Sequence, residues 1–327
     1  MSAPTPAAAQ TPRPNRLNAG AVVRFLRQYA VAVIVALLMI ALTLMSNSFL
    51  TAENLNNILN QNAPLAIIAS AMTLVIICGG FDLSAGAIFA VASVTAAWTA
   101  LHVNPLLGLA VAPFVGLVLG LINGVTITSL GIHSFLATLA TSLVFRGIAI
   151  LITGGALIPV RIPQFTWLGR ERIGPIYIAV IVLIVFAAIL MGLLNRTTFG
   201  RKVFAVGGNE EAAILSGIRT ARVKIVTFAI AGFASGLASA IAVSRVSLGQ
   251  PAAGAGMELE AIAAVIIGGT SIYGGQGAIW RSIAGVIMLA LINNGFNILN
   301  ADPFFKDLTT GLVIVAAVAI SASGRRR

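Results

Sequence analysis

Long apolar stretches separated by short polar segments run through most of the chain. Ten can be delimited, at residues 29–46, 64–78, 84–101, 106–128, 135–153, 175–194, 223–243, 258–270, 280–298 and 304–321. A hydrocarbon layer about 30 Å thick needs about 20 apolar residues per helical crossing, and a helix satisfies its backbone amides internally. The stretches are too long and too uniformly apolar for the strands of a barrel. The pattern therefore predicts an all-α, polytopic membrane protein with about ten transmembrane helices.

Two places interrupt this pattern. The stretch 258–270 is short for a full crossing, and a Gly-rich break occupies residues 79–86. Either 79–86 or 258–278 can contain a broken or re-entrant helix, so eight crossings remain an alternative. Composition supports the membrane class, because 58% of the residues are hydrophobic and only 9% are charged, against about 25% charged in soluble domains.

The basic residues indicate an orientation. If the N-terminus is cytoplasmic, the inner segments carry fourteen of the 20 Lys and Arg residues, the outer segments carry five, and Arg146 lies within a helix. Cytoplasmic flanks hold the excess of Lys and Arg, so both termini are predicted in the cytoplasm. The predicted organisation is a disordered basic N-terminus (1–28), a transmembrane domain (29–322) and a basic cytoplasmic tail (323–327).

Several kinds of site are disfavoured by composition. The net charge of +11 does not indicate nucleic-acid binding, because the basic residues flank apolar stretches instead of forming a stripe with interleaved aromatics. Cys78 is the single cysteine, and His102 and His133 stand far apart, so no metal site or catalytic set can be assembled. None of the three lysines belongs to a GxxxxGK[ST] phosphate loop. We therefore expect no cofactor or metal bound by this chain.

The longest polar cytoplasmic segment, 195–224, contains signals for a short helix. Asn209 can cap its first amides, Glu210 and Glu211 complement its positive end, and Gly217 suits a left-handed stop. The helix would present an apolar ridge formed by Ile214, Leu215 and Ile218. So short a helix is marginal alone and needs a docking partner. A plain connecting loop on the membrane surface is the competing interpretation.

Glu211, Ala212 and Ala213, followed by Gly217, resemble the EAA signature that marks the coupling helix of ABC importer permeases. The resemblance extends from about residue 50 to 315. Five ordered blocks carry it: GGFDLSAGAIFA (79–90), NGVTITSLGIHSFLATLAT (123–141), FRGIAILITGG (145–155), RTTFGRKVFAVGGNEEAAILSGI (196–218) and QPAAGAGMELEAIAAVIIGGTSIYGGQGA (250–278). On these blocks the chain resembles the permeases of ribose-type sugar ABC importers, which also serve arabinose, xylose, galactose and fructose. It departs from them at Phe81, Ala85 and 280–282.

The resemblance implies a transport subunit of the bacterial inner membrane without a nucleotide site of its own. A partner cytoplasmic ATPase would bind ATP and Mg and receive residues 209–218. A periplasmic sugar-binding protein would deliver a monosaccharide to the outer loops. Two permease chains, identical or different, would form an alternating-access pathway surrounded by membrane lipid.

Six polar residues are candidates for the translocation pathway or its gate: Asp82, Asn123, Thr138, Arg146, Asn293 and Asn294. A sugar needs hydroxyl and amide partners, but hydrogen bonding between helices is the simpler interpretation of each such residue. Charge within a membrane helix usually faces protein or a wet cavity, so Arg146 either pairs structurally or meets substrate. Asp82 can cap the helix after it or gate the inner mouth.

Glu258 and Glu260 precede an apolar stretch on the predicted outer side. Both favour the positive end of the following helix, and the functional alternative is contact with the binding protein.

Two rival functions were weighed. An ion-coupled secondary transporter usually has ionisable residues near the midplane, whereas the acidic residues here cluster at predicted helix ends. A membrane-embedded enzyme needs a convergent nucleophile, acid or metal set, for which His, Cys and buried carboxylates are too few.

Overall fold

The computed structural model describes residues 19–299 and the isolated positions 302, 308, 309, 311, 312 and 315. The chain forms the helices α1 (Ala19–Met45), α2 (Ala52–Ile77), α3 (Ala85–His102), α4 (Pro105–Leu130), α5 (Ser134–Thr153), α6 (Trp167–Arg170), α7 (Ile178–Arg196), α8 (Thr198–Gly208), α9 (Glu210–Leu215), α10 (Thr220–Val246), α11 (Met257–Ile267) and α12 (Ile279–Ile298). A 3-10 turn, Pro163–Thr166, precedes α6. The strands are two residues each. β1 (Ile158–Pro159) pairs antiparallel with β4 (Leu248–Gly249), and β2 (Arg172–Ile173) with β3 (Ile176–Tyr177).

Seven of these helices are long and apolar enough to cross a membrane: α2, α3, α4, α5, α7, α10 and α12. The predicted all-α, polytopic class is therefore confirmed. The described apolar part of α1, Val31–Met45, is shorter, α11 has 11 residues, and most of the stretch 304–321 lies outside the described residues. Ten crossings and two cytoplasmic termini thus stay predictions.

Of the boundaries predicted for the N-terminus and the tail, only the first lies among the described residues. Helix α1 begins at Ala19, so the predicted boundary between 28 and 29 falls inside a helix. Apolar periodicity locates the hydrocarbon-facing part of a helix and misses a helical extension that carries polar residues. Residues 1–18 and the predicted tail 323–327 lie outside the described part of the chain.

Local signals set several helix ends. The Asn104 side chain accepts hydrogen bonds from the amides of Leu106 (2.9 Å) and Leu107 (3.1 Å), and Pro105 opens α4 where no amide donor is needed. Gly131, at φ +62°, ends that helix in the left-handed conformation. His133 Nδ1 accepts from the Phe135 amide (3.3 Å) and so caps α5, which gives this histidine a structural role.

Helices α4 and α10 pack through glycines. A Cβ at Gly116 or Gly120 of α4 would overlap the backbone of α10 at Gly232 or Phe228. Small residues allow such close backbone approach in membranes, where dispersion between closely packed helices drives association. Helix α10 also packs against α2 and α3, so it lies at the centre of the bundle.

The segment after β4 is a broken crossing. Gly249 lies beside Ser93 and Ala97 of α3, whereas the carbonyl of Gly254 lies beside Gly86, at the start of α3. Residues 250–256 therefore run along α3 toward its N-terminus before α11 begins. Irregular backbone at membrane depth is tolerated where protein covers it. The stretch 258–270 is thus a half-length helix that starts inside the molecule.

Candidate functional site

A buried polar cluster surrounds the break between α2 and α3. The Asp82 Oδ1 atom accepts hydrogen bonds from the amide (2.9 Å) and the hydroxyl (2.6 Å) of Ser84, whose Oγ accepts from Asn123 Nδ2 (2.6 Å). All three side chains are fully buried. Asp82 therefore shapes the turn that leads into α3, and Asn123 fixes that turn to α4.

Helix α5 holds the same break from the other side. Thr138 Oγ1 accepts from the Leu83 amide (3.0 Å) and donates to the Ser134 carbonyl (2.8 Å). Ser134 Oγ accepts from the Phe81 amide (3.0 Å). Three of the six predicted pathway residues, Asp82, Asn123 and Thr138, thus meet at one place. Ser84 and Ser134 complete the cluster; sequence reasoning missed them, although both stand inside matched blocks.

The carboxylate of Glu258 reaches this cluster from α11. A Cβ on Gly86 would overlap this carboxylate and the carbonyl oxygen of Gly254, so only glycine fits there. Within the described part of the chain, Glu258 Oε2, Asp82 Oδ2 and Asn123 Oδ1 are buried without a hydrogen-bond partner. Buried polar atoms ordinarily have hydrogen-bond partners, so this cluster holds more acceptors than donors.

The surroundings of Asp82 change the pKa of its carboxyl group. Asp82 lies between the spanning helices α2 and α3. Burial raises the pKa of Asp82 above its ordinary value of 3.8; hydrogen bonds from Ser84 oppose the rise, and the charge of Glu258 adds to it. The positive N-terminal ends of α3 and α11 partly compensate the two acids. The cluster therefore brings the carboxyl groups of Asp82 and Glu258 to the region where two helices start.

Arg146 holds the irregular segment 250–256. Its guanidinium Nη1 donates to the carbonyl oxygens of Pro251 (3.1 Å) and Ala253 (2.8 Å). These carbonyls lie in the irregular segment before α11, where no helix supplies backbone donors. Buried backbone acceptors need donors, and Arg146 provides them. Of the two interpretations of Arg146, the structure displays the pairing to carbonyls.

The two asparagines of α12 lie elsewhere. Asn294 exchanges side-chain hydrogen bonds with Asn54 (3.0 and 3.3 Å), near the end of α2 opposite the break. Asn293 Oδ1 is buried with no hydrogen-bond partner among the described residues. The structure therefore does not bring Asn293 and Asn294 to the polar cluster.

The short helix predicted in segment 195–224 is α9. Asn209 Oδ1 accepts from the Ala212 amide (2.9 Å), and Gly217 adopts φ +78°. Hydrogen bonds from Gly217 N to Ile214 O (2.9 Å) and from Ile218 N to Ala213 O (3.0 Å) close a Schellman motif.

That motif corrects the predicted apolar ridge. It sets Ile218 beside Ala213, and Ile218 packs against the core while Ala213 is buried. Ile214 (55% exposed) and Leu215 (89%) alone face outward. Glu210 also forms an ion pair with Lys224 of α10 (2.6 Å), which ties the start of α9 to the bundle.

A glycine junction connects α8, the helix preceding α9, to both breaks in the membrane helices. A Cβ at Gly207 would overlap the carbonyl oxygen of Ile77, at the end of α2. The same oxygen accepts from the Gly275 amide (2.8 Å), and Gly274 lies against Gly79 and Gly207. The turn before α3 and the turn after α11 thus meet on α8. No local sequence pattern connects these glycines, which lie far apart along the chain.

A groove of about 490 Å³ lies between β1 and α6, on the side of the molecule that the sequence predicts to be periplasmic, and is lined in part by Arg161 and Arg170. Glu260 is exposed, whereas the Glu258 carboxylate points into the protein. Because Glu258 lies beside Gly86 at the first turn of α3, its carboxylate is inside the bundle, and its predicted contact with a binding protein stays a prediction. Among the described residues, no three His, Cys, Asp or Glu side chains are grouped to hold a metal ion.

Comparison with known proteins identifies the family. Residues 54–318 match the family described as branched-chain amino acid transport system / permease component. The chain is 42% identical over 287 residues to the ribose import permease protein RbsC of Bacillus subtilis (strain 168). The aligned region covers 87% of this chain and 89% of that protein.

Two further relatives handle other sugars. Identity to the L-arabinose transport system permease protein AraH of Escherichia coli (strain K12) is 36% over 298 residues, 89% of each chain. Identity to the D-allose transport system permease protein AlsC of the same strain is 36% over 274 residues, 83% of this chain and 84% of that protein. No solved structure matches the chain with statistical significance. The resemblance seen in the five blocks is thereby confirmed, and the chain belongs to this family of transport-system permease components as a multi-pass protein of the bacterial inner membrane.

Proposed function

We propose that the chain is the membrane-spanning permease subunit of an ATP-driven ABC importer and passes a monosaccharide through a pathway formed by two permease chains. The observation that carries this proposal is likeness over most of the chain to permeases named for ribose, L-arabinose and D-allose. All three named substrates are monosaccharides. ATP and Mg would bind to a separate cytoplasmic ATPase, and a periplasmic binding protein would deliver the sugar. Ten helices with both termini inside remain part of the proposal.

Helix α9 is the proposed contact with the ATPase. Two large apolar side chains, Ile214 and Leu215, are exposed on a helix of six residues. Such a helix has little stability of its own, and here its cap, its Schellman motif and the Glu210–Lys224 pair hold it rigid. A rigid helix that lies outside the spanning helices and exposes two apolar side chains is suited to a groove on another protein.

The glycine junction provides a route from α9 to the membrane interior. Helix α8 is joined to α9 at Asn209 and contacts the end of α2, the turn before α3 and the turn after α11 through backbone atoms. Backbone contacts without intervening side chains transmit displacement with little slack. A movement of α9 would therefore shift the two breaks that flank the polar cluster.

The polar cluster is the proposed inner gate. Asp82, Asn123 and Thr138 fix the start of α3, and Arg146 fixes the segment before α11. Because α3 and α11 both begin at this point, displacement of either helix breaks hydrogen bonds that no other group replaces. Asn293 and Asn294 would belong to the outer half of the pathway. On the outer face, Glu260 and the groove beside Arg161 and Arg170 are proposed to meet the binding protein, while burial of Glu258 favours its packing role.

Uptake measurements test the substrate class, because the family description names branched-chain amino acids whereas the relatives are named for sugars. Cells expressing the chain with its ATPase and binding protein should accumulate a labelled pentose or hexose. Addition of leucine should leave that uptake unchanged. Uptake of leucine and of no sugar would contradict the proposal.

A further inference from the structure

A second groove, of about 370 Å³, lies between the first turn of α8 and the first turns of α10. We call it the basic groove. Its rim carries Lys202, Arg219 and Arg222, and its walls include Phe199 and Val223. The three basic side chains are exposed, whereas Val223 is buried and Phe199 is partly buried. Three cations thus surround a partly apolar floor.

The charges on this rim are not neutralised by the protein. Segment 195–224 contains six Lys and Arg residues and two acidic ones. The only ion pair found in the part of the chain that the structure describes joins Lys224 to Glu210, so Lys202, Arg219 and Arg222 lack an anionic partner there. Three like charges around one groove repel one another, and an anion that binds among them relieves this repulsion.

The groove lies where a membrane boundary is expected. The spanning helix α7 ends at Arg196, and the spanning helix α10 begins at Thr220. The basic rim sits just beyond these ends. Val226, which also lines the groove, is 43% exposed and lies nearly two turns into α10. An apolar surface therefore leads from the groove along the side of α10 toward the hydrocarbon.

We propose that the basic groove binds the phosphate headgroup of an anionic phospholipid, with an acyl chain lying along Val226. Arg and Lys side chains are the ordinary partners of phosphate oxygens, and basic pockets near the cytoplasmic ends of membrane helices suit anionic headgroups. A free phosphate or a nucleotide would use the rim but would gain nothing from the floor or from Val226. The site requires neither a sugar nor an ATPase, so it stands apart from the proposed transport function.

Native mass spectrometry of the full-length chain, released from detergent with added phosphatidylglycerol or phosphatidylcholine, tests this site. The wild-type chain should retain phosphatidylglycerol in preference to phosphatidylcholine. The double variant Lys202→Gln/Arg222→Gln should bind phosphatidylglycerol about 30-fold more weakly, since each basic residue that loses its contact with the anionic headgroup costs about fivefold. The matched control, Arg196→Gln/Arg201→Gln, removes two charges from the same segment outside the groove and should bind as wild type. Equal elution volumes on size exclusion establish that both variants fold.

Four results would overturn the assignment. Equal retention of the two lipids would remove the headgroup preference. Equal loss in both double variants would show general surface charge without a defined site. Competition by millimolar inorganic phosphate would identify a site for a free anion, because a lipid held also through Val226 should not be displaced by phosphate alone. If the groove variant instead loses its ATPase and keeps its lipid, the groove belongs to a protein interface.

Discussion

The α9 region and the polar cluster at the start of α3 are held in opposite ways. The hydrogen bonds and the ion pair that shape α9 join residues within 15 positions of one another: Asn209 to Ala212, Ile218 to Ala213, Lys224 to Glu210. The cluster joins Ser84 to Asn123, Leu83 to Thr138 and α11 to Gly86. The first is a locally encoded rigid body, and the second exists only when four helices are packed. A transporter needs both, because a rigid element such as α9 can transmit a displacement, whereas a cluster held by contacts between helices can open when those helices move.

The two regions meet at the glycine junction, so a substitution there should reduce transport more than any other. Gly207→Ala places a methyl group against the Ile77 carbonyl, whereas at Gly208 a Cβ meets nothing within 4 Å. Overpacking against backbone costs about 1–3 kcal/mol or more. Gly207→Ala should reduce sugar uptake more than tenfold, and Gly208→Ala should leave it unchanged. Equal uptake by the two variants would show that the glycine junction does not transmit movement of α9 to the membrane helices.

The Schellman turn of α9 is the next test. Gly217→Val forces a β-branched residue to φ +78°, which costs about 1–2 kcal/mol. Asn tolerates this conformation, so Gly217→Asn is the matched control. Copurification of the ATPase should fall several-fold for the valine variant and stay near wild type for asparagine. Undiminished copurification with Gly217→Val would separate α9 from the ATPase contact.

Two substitutions of Thr138 distinguish the contribution of its hydroxyl group to the stability of the cluster from that of its methyl group. Thr138→Val keeps the shape of the side chain but leaves the Leu83 amide without its acceptor, at a cost of about 1–3 kcal/mol. Thr138→Ser keeps the hydroxyl and should be much milder. Thermal unfolding in detergent should show a lower midpoint for valine than for serine. The reverse order would mean that the methyl group, and not the hydroxyl, holds the break.

The smallest effect concerns pH. An acid whose pKa is raised in the folded protein binds its proton more tightly there than in the unfolded chain. Its favourable contribution is therefore present at low pH and is lost as pH rises from about the ordinary value of 3.8 upward. Asp82→Asn removes this titration. The unfolding midpoint of wild type should fall more steeply than that of Asp82→Asn as pH increases above 4, and parallel curves would contradict the raised pKa.

Sequence reasoning reached the elements that local chemistry encodes. Periodicity located the helices over most of their length, and Asn209 and Gly217 gave both ends of α9. It placed Ile218 on the wrong face because it read helical spacing past the point where a Schellman motif turns the chain. The cluster was predicted as separate polar residues, since nothing local connects Asp82 with Glu258. The half-length α11 was visible only as a short stretch, because an irregular segment packed against α3 has no periodicity.

The account depends on a separate ATPase driving these helices. The most direct measurement is sugar uptake into vesicles that contain the purified chain, with the binding protein outside, compared with and without the ATPase and ATP inside. Accumulation against a gradient is predicted only when both are present, and Gly207→Ala should reduce it more than tenfold. Accumulation of sugar in vesicles that lack the ATPase would contradict it.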